Sequence, residues 1–296
     1  MNGMFGYKRQ RNITIVTFLL IPLILLIGFS YLPAVKLFQY SFTDWDGMAK
    51  TFKYIGLQNY KDIIRDHTAI DTLANNLAYV LAVIVQVALG LYFALILDSN
   101  IRAKNFFRSS VFMPYILNGM AVAYMFNYMY NFNDGPINIF LRTIGLGNYA
   151  IHFLSNTWYS NLSLAFLLIW KGTGFTMVVF LGALQSISKE QYEAASIDGS
   201  NFFQNVKYIT IPSIKPVIVI NLFLSLNGAL QAFFEPFILT QGGPGTRTAT
   251  FALNAYYTAF RFNNFGIASA LGVFLLFIVI VVMIFQKAII GGGDSQ

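Results

Sequence analysis

Ser188–Pro216 reads SKEQYEAASIDGSNFFQNVKYITIPSIKP, a polar stretch set between two long apolar runs. Ser188 with Gln191 three residues later has capping-box spacing, which predicts a helix starting there. Glu190 in the first turn suits the positive end of the helix dipole. Gly199 ends that helix, because glycine takes left-handed backbone at no steric cost. Asp198 or Ser200 is then placed to cap a second short helix through Phe202, Phe203 and Val206, which stops before Pro212. The expected unit is a helix-turn-helix lying along a membrane. Ala194 and Ala195 leave a small, smooth surface that a partner's backbone can approach closely, and Glu193 beside them offers a carboxylate to a partner's arginine.

The flanking runs set the fold class. Upstream lies an expected helix over about Trp158–Leu184, and downstream one over about Val217–Leu239. Four more runs of similar kind are expected as helices over Ile13–Tyr31, Thr72–Leu97, Ser110–Tyr130 and Ile267–Phe285, with a short interfacial helix over Ile137–Gly147. About 20 apolar residues cross a hydrocarbon core roughly 30 Å thick. Of 296 residues 56% are hydrophobic and 10% charged, and the mean hydropathy is +0.60. A water-soluble domain carries roughly 25% charged residues. The expected fold is therefore an all-α integral membrane bundle of six transmembrane helices. Its expected parts are 1–71 (tail, first helix and outer loop), a core of five helices over 72–290 containing the 188–216 loop, and a polar tail over 291–296.

The stretch after Lys8, Arg9 and Arg11 is too long for a signal h-region, and no small-x-small cleavage site follows, so it is expected to remain as a helix. Six spans put both termini on one side. That side collects Lys8, Arg9, Arg11, Arg102, Lys104, Arg108, Lys189, Lys207, Lys215 and Lys287. By the positive-inside rule it is the cytoplasm. The formal net charge of +7 has this source, and the absence of a basic run with interleaved aromatics argues against nucleic acid.

The residues offer no catalytic apparatus. Gly242-Gly243-Pro244-Gly245-Thr246-Arg247-Thr248 is glycine-rich but lacks the Gly-Lys-Ser/Thr ending of a phosphate loop, and it falls on the expected outer face, so it reads as a turn. His67 and His152 stand apart from other ligand-type residues, which argues against a metal. With no cysteine in the chain, thiolate sites and disulfides are excluded. Ionisable groups inside spans are functional candidates by default, and here they are Lys171 and Glu235. Asn227, Gln231 and Glu235 recur every four residues and are expected on one helix face. Such a stripe either hydrogen-bonds the hydroxyls of a passing solute, with Trp170 or Phe175 stacking on its apolar face, or glues helix to helix while Lys171 snorkels or pairs internally.

Glu193-Ala194-Ala195-x-x-Asp198-Gly199, followed by Ile209-x-Ile211-Pro212, resembles the EAA motif of binding-protein-dependent ABC importer permeases. It departs from that motif at Ser200, Val206 and Ile211, where Ala, Phe and Leu are usual. The likeness continues through Phe18–Pro22, Ser41–Trp45, Gly56–Tyr60, Phe107–Pro114, Trp170-Lys171 and Thr240–Pro244, which are similar to the carbohydrate branch. The last motif is similar to the first permease of a pair, as in maltose and glycerol-phosphate systems. The resemblance implies the type I importer fold in a bacterial cell membrane, with Glu193, Ala194, Ala195, Asp198 and Gly199 coupling to an ATPase. It implies as partners a second similar permease, two ATPase subunits, an extracytoplasmic sugar-binding protein and membrane lipid. ATP and Mg are expected on the ATPases, and no cofactor on this chain. It also implies a sugar pathway along Lys171, Gly172, Phe175, Ser225, Gly228, Ala229 and Ala232. The rival reading is an ion-coupled secondary transporter acting without an ATPase, which usually carries buried carboxylates or broken helices in repeated halves. The sequence offers Glu235 and no clear repeat.

Overall fold

The computed structural model describes residues 2–99 and 101–291. Residues 292–296 of the expected polar tail, and Asn100 after the second apolar run, lie outside the described residues.

A backbone in hydrocarbon must satisfy its own hydrogen bonds, and these apolar runs do so as helices. α1 (Asn2–Leu26) passes through a π-helical turn, Ile27–Tyr31, into α2 (Leu32–Tyr40). There follow α3 (Gln58–Arg65), α4 (His67–Asp98), α5 (Lys104–Ile116), α6 (Gly119–Met129) and α7 (Pro136–Thr143). Next come α8 (Thr157–Leu184), α9 (Lys189–Ile197) and α10 (Phe202–Asn205). A second π turn, Val206–Thr210, leads into α11 (Ile211–Leu230), and α12 (Phe234–Leu239), α13 (Phe251–Phe260) and α14 (Phe265–Gly291) complete the order. Among the described residues, five stretches are long and apolar enough to cross a bilayer: Gln10–Tyr40, His67–Asp98, Thr157–Leu184, Phe202–Leu239 and Phe265–Ala288. α5 and α6 together make a sixth, bent by 98°.

Four expectations are corrected. The third run, expected as one helix over Ser110–Tyr130, breaks where Leu117 turns extended (ψ 141°) and the Asn118 side chain caps α6 by accepting from the amides of Met120 and Ala121. The first helix does not stop at Tyr31, nor the hairpin helix before Pro212. In both places the chain widens into a π turn one residue ahead of a proline. Leu32 N–H then bonds to Ile27 O ahead of Pro33, and Ile211 N–H to Val206 O ahead of Pro212. The wider turn makes room for a ring that clashes in α-helical register and has no N–H to give. Finally, the fifth run is not continuous to Leu239. α11 ends at Leu230, and α12 starts only after Gln231–Phe233.

The chain forms two compact units, Met1–Arg65 with Ala255–Phe274, and Asp66–Asn254 with Leu275–Gln296. In the first, an antiparallel bridge joins Thr43 to Tyr54. Buried Asn59 donates to the carbonyls of Ser41 (2.9 Å) and Thr43 (2.8 Å), tying α3 to that loop. Side chains from Gln10 to Lys36 are exposed.

In the second unit α4 packs along α8. The buried side chains Thr72, Asn76, Tyr79, Val83, Gln86, Gly90, Ala94 and Leu97 recur every three or four residues, making one inward face on α4. Gly90 lets the helices close up, since a Cβ there would overlap the Thr176 side chain. Tyr79, Val83, Val122, Phe126, Leu164, Leu167 and Ala229 form one core cluster, and Ala94, Leu97, Met177, Phe180, Leu184 and Ile214 belong to another.

Candidate functional site

Two places in the second unit collect the residues singled out by sequence. The first is the hairpin. Ser188 caps α9, though its Oγ accepts from the amide of Glu190 (3.3 Å) rather than of Gln191. At the far end Gly199 is left-handed with φ +78°. Gly199 N–H bonds to Ser196 O and Ser200 N–H to Ala195 O, the two bonds of a Schellman motif. The next helix is capped neither by Asp198 nor by Ser200. Asn201 does it in a reciprocal box with Gln204, at 3.0 and 2.8 Å. Asp198 instead stands at the C-cap of α9, and Ser200 Oγ donates to Asn205 Oδ1 (2.7 Å).

Glu193, Ala194, Asp198 and Gly199 are exposed and Ala195 is half-buried. Around them Ile197 and Phe203 are 87% and 80% exposed. Such apolar tips on an otherwise polar turn are what a partner surface covers. The hairpin is also fastened to the span behind it. The hydroxyls of Tyr192 on α9 and Thr210 in the π turn meet at 2.9 Å, and Thr210 Oγ1 donates to Asn205 O (3.2 Å).

The second place is a cavity of about 380 Å³. α4 contributes Gln86 and α5 contributes Tyr115. Leu168, Lys171, Gly172 and Phe175 come from α8, while α11 gives Leu224, Ser225, Gly228 and Ala229 and α12 gives Glu235. Seven residues named from sequence therefore meet here: Lys171, Gly172, Phe175, Ser225, Gly228, Ala229 and Glu235.

Three do not. With α11 ended at Leu230, Asn227, Gln231 and Glu235 do not share one helix face. Asn227 lies beside Val279, Val282 and Met283 and accepts from Gln231 Nε2 (2.7 Å). Ala232 is buried with its carbonyl taking the Thr250 hydroxyl (2.6 Å). Trp170 also turns away and packs on Phe126, 5.2 Å between ring centres. Phe175 faces the cavity, stacked on Tyr115 at 4.7 Å.

Sequence reasoning missed Gln86, Tyr115, Leu168 and Leu224. Gln86 had a legible signal, as an amide in the middle of an apolar span. Its Nε2 donates to the hydroxyls of Thr176 (3.0 Å) and Ser225 (3.3 Å), and Thr176 donates in turn to Asn221 Oδ1 (3.3 Å). This chain of bonds joins α4, α8 and α11 behind the cavity wall. Asn76 supports the broken helix from α4. Its Nδ2 donates to Ala229 O (3.0 Å) and Leu230 O (3.2 Å), and its Oδ1 accepts from Phe251 N–H (2.8 Å).

The sequence profile described as "Binding-protein-dependent transport system inner membrane component" matches residues 86–291. A probable ABC transporter permease protein of Pyrococcus horikoshii is 32% identical over 94% of this chain and 96% of its own length. The multiple sugar-binding transport system permease protein of Streptococcus mutans is 33% identical over 91% of this chain and 92% of its own. Among solved structures, a bacterial ABC transporter involved in import of the acidic polysaccharide alginate has a chain that superposes with a TM-score of 0.84. That match covers 99% of this chain and 100% of the other at 23% identity, a likeness of fold. A multi-pass helical chain matching this profile over most of its length belongs to the inner membrane components of binding-protein-dependent transport systems.

Proposed function

We propose that this chain is one permease subunit of an ATP-driven importer of a carbohydrate, an oligosaccharide or sugar derivative, working beside a second, similar permease. The observation that carries the reading is the hairpin. It presents small and apolar side chains outward at Glu193–Gly199 and is locked to the start of the helix that ends in the cavity wall. The name of the Streptococcus mutans relative supports the carbohydrate class.

In this reading the hairpin and both termini are cytoplasmic, and two ATPase subunits bind ATP and Mg and hydrolyse the nucleotide. This chain holds no cofactor and is a non-catalytic transport subunit. An extracytoplasmic binding protein delivers the sugar. When the ATPases close, the force on α9 passes through the Tyr192–Thr210 hydrogen bond into the π turn. From there it follows α11 to Ser225, Gly228 and Ala229 at the cavity. The cavity is thereby presented to one side of the membrane and then the other. Its Lys171, Ser225 and Glu235 offer donors and acceptors for hydroxyls, and Phe175 with Tyr115 offers an apolar ring face.

Glu193→Ala and Gly199→Val test the reading. A branched side chain at φ +78° costs about 1–2 kcal/mol in left-handed backbone and misplaces the turn. Gly199→Val is expected to lower co-purification of the ATPase, and Glu193→Ala to lower sugar uptake several-fold. Normal assembly and normal uptake in both variants would contradict the coupling role.

A further inference from the structure

Gln86 is 5% exposed, yet it lines the cavity. Both of its amide protons are used inside the protein, on Thr176 and Ser225. Thr176 spends its own proton on Asn221 Oδ1, so toward Gln86 it has only lone pairs to offer. The carboxamide nitrogen accordingly faces Thr176 and Ser225, and the oxygen lies beside Gly172. Oε1 has no hydrogen-bond partner among the described residues, and the amide lies against Gly172, where a Cβ would overlap it. Gly172 is itself part of the cavity lining.

An amide oxygen on the cavity lining that the protein leaves without a donor keeps both lone pairs for a ligand. The position is also pre-organised. An amide held by two bonds loses little side-chain freedom when a third is made.

We propose that Gln86 Oε1 accepts a hydrogen bond from one hydroxyl of the sugar in the cavity, and so helps set which sugar passes. The inference rests on the importer reading above. A site built to bond a hydroxyl rejects the analogue lacking it far more strongly than an apolar wall rejects one methylene. Gln86 is thereby distinguished from Leu168 and Leu224, which only bound the space.

The test is a cycle between side chain and ligand. The complete complex with its binding protein is reconstituted in proteoliposomes and offered maltose, cellobiose and xylobiose at saturating concentration. Maximal uptake of the transported disaccharide is then compared with that of each of its monodeoxy analogues, in wild type and in Gln86→Leu. The binding protein is common to both complexes and cancels in the ratio. Gln86→Leu is expected to slow the parent sugar about tenfold, the worth of one such hydrogen bond, while for one analogue the two complexes transport within about twofold. Should Gln86→Leu fail to assemble, Gln86→Met enters the same cycle. Equal losses for the parent and every analogue, or no loss at all, would overturn the role of Gln86. No uptake of any disaccharide by wild type would overturn the importer reading, and this role with it.

Discussion

Gly172 shows what a single missing side chain does for this cavity. Any Cβ at that position would strike the Gln86 carboxamide, and Gln86 in turn is held by Thr176 and Ser225. Gly172→Val is therefore expected to push the amide off its partners and fill part of the cavity. Sugar uptake should fall about tenfold or more, while the ATPase still co-purifies in normal amount. Quantitative uptake set against the recovered ATPase checks this, and unchanged uptake would show that the amide does not matter. At this scale the sequence was informative where chemistry is local. Lys171 and Glu235 stand out as charges in apolar runs, and both line the cavity. Asn227 and Gln231 were legible only as positions on an assumed continuous helix face; the break after Leu230 takes Gln231 off that face, while Asn227 stays on α11 and faces Val279, Val282 and Met283.

Breaks of that kind are properties of elements and need partners distant in sequence. The end of α11 is tolerable because Asn76, more than 150 residues earlier, donates to its last carbonyls. No window of local sequence contains that fact. The same Asn76 accepts from the amide of Phe251 at the start of α13. Asn76→Leu is expected to leave these three backbone groups unpaired in the interior. Interhelical hydrogen bonds in membranes are worth about 0.6 kcal/mol on average and up to about 2, so the loss should reach a few kcal/mol. A clearly lower midpoint of thermal unfolding in detergent is the expected outcome, and a midpoint equal to wild type would deny Asn76 this role. The bend between α5 and α6 was signalled weakly, since Pro114 and Asn118 are both present but such residues also occur in straight spans. The two π turns were hidden for a different reason. A proline ordinarily marks a helix end, and only the backbone reveals that the chain widened by one residue and continued.

For the molecule as a whole, fold class followed from composition and run length, because hydrocarbon leaves an isolated apolar segment little choice but helix. The hairpin was legible for the opposite reason, as a polar interruption with its own caps. Even there the residue that caps α10 was misjudged, since Asp198, Ser200 and Asn201 are all competent and the Schellman geometry at Gly199 decides among them. Everything proposed about energy coupling requires this hairpin to lie on the cytoplasmic side, against a nucleotide-hydrolysing subunit. The chain has no cysteine, so Ala194→Cys provides a unique label within it. The decisive measurement is the sidedness and cross-linking of that thiol. The account predicts that a membrane-impermeant maleimide fails to label it in intact cells and labels it in inverted vesicles, and that a short cross-linker joins it to the ATPase. Labelling from outside, or a thiol that captures no ATP-hydrolysing partner in the assembled complex, would contradict it.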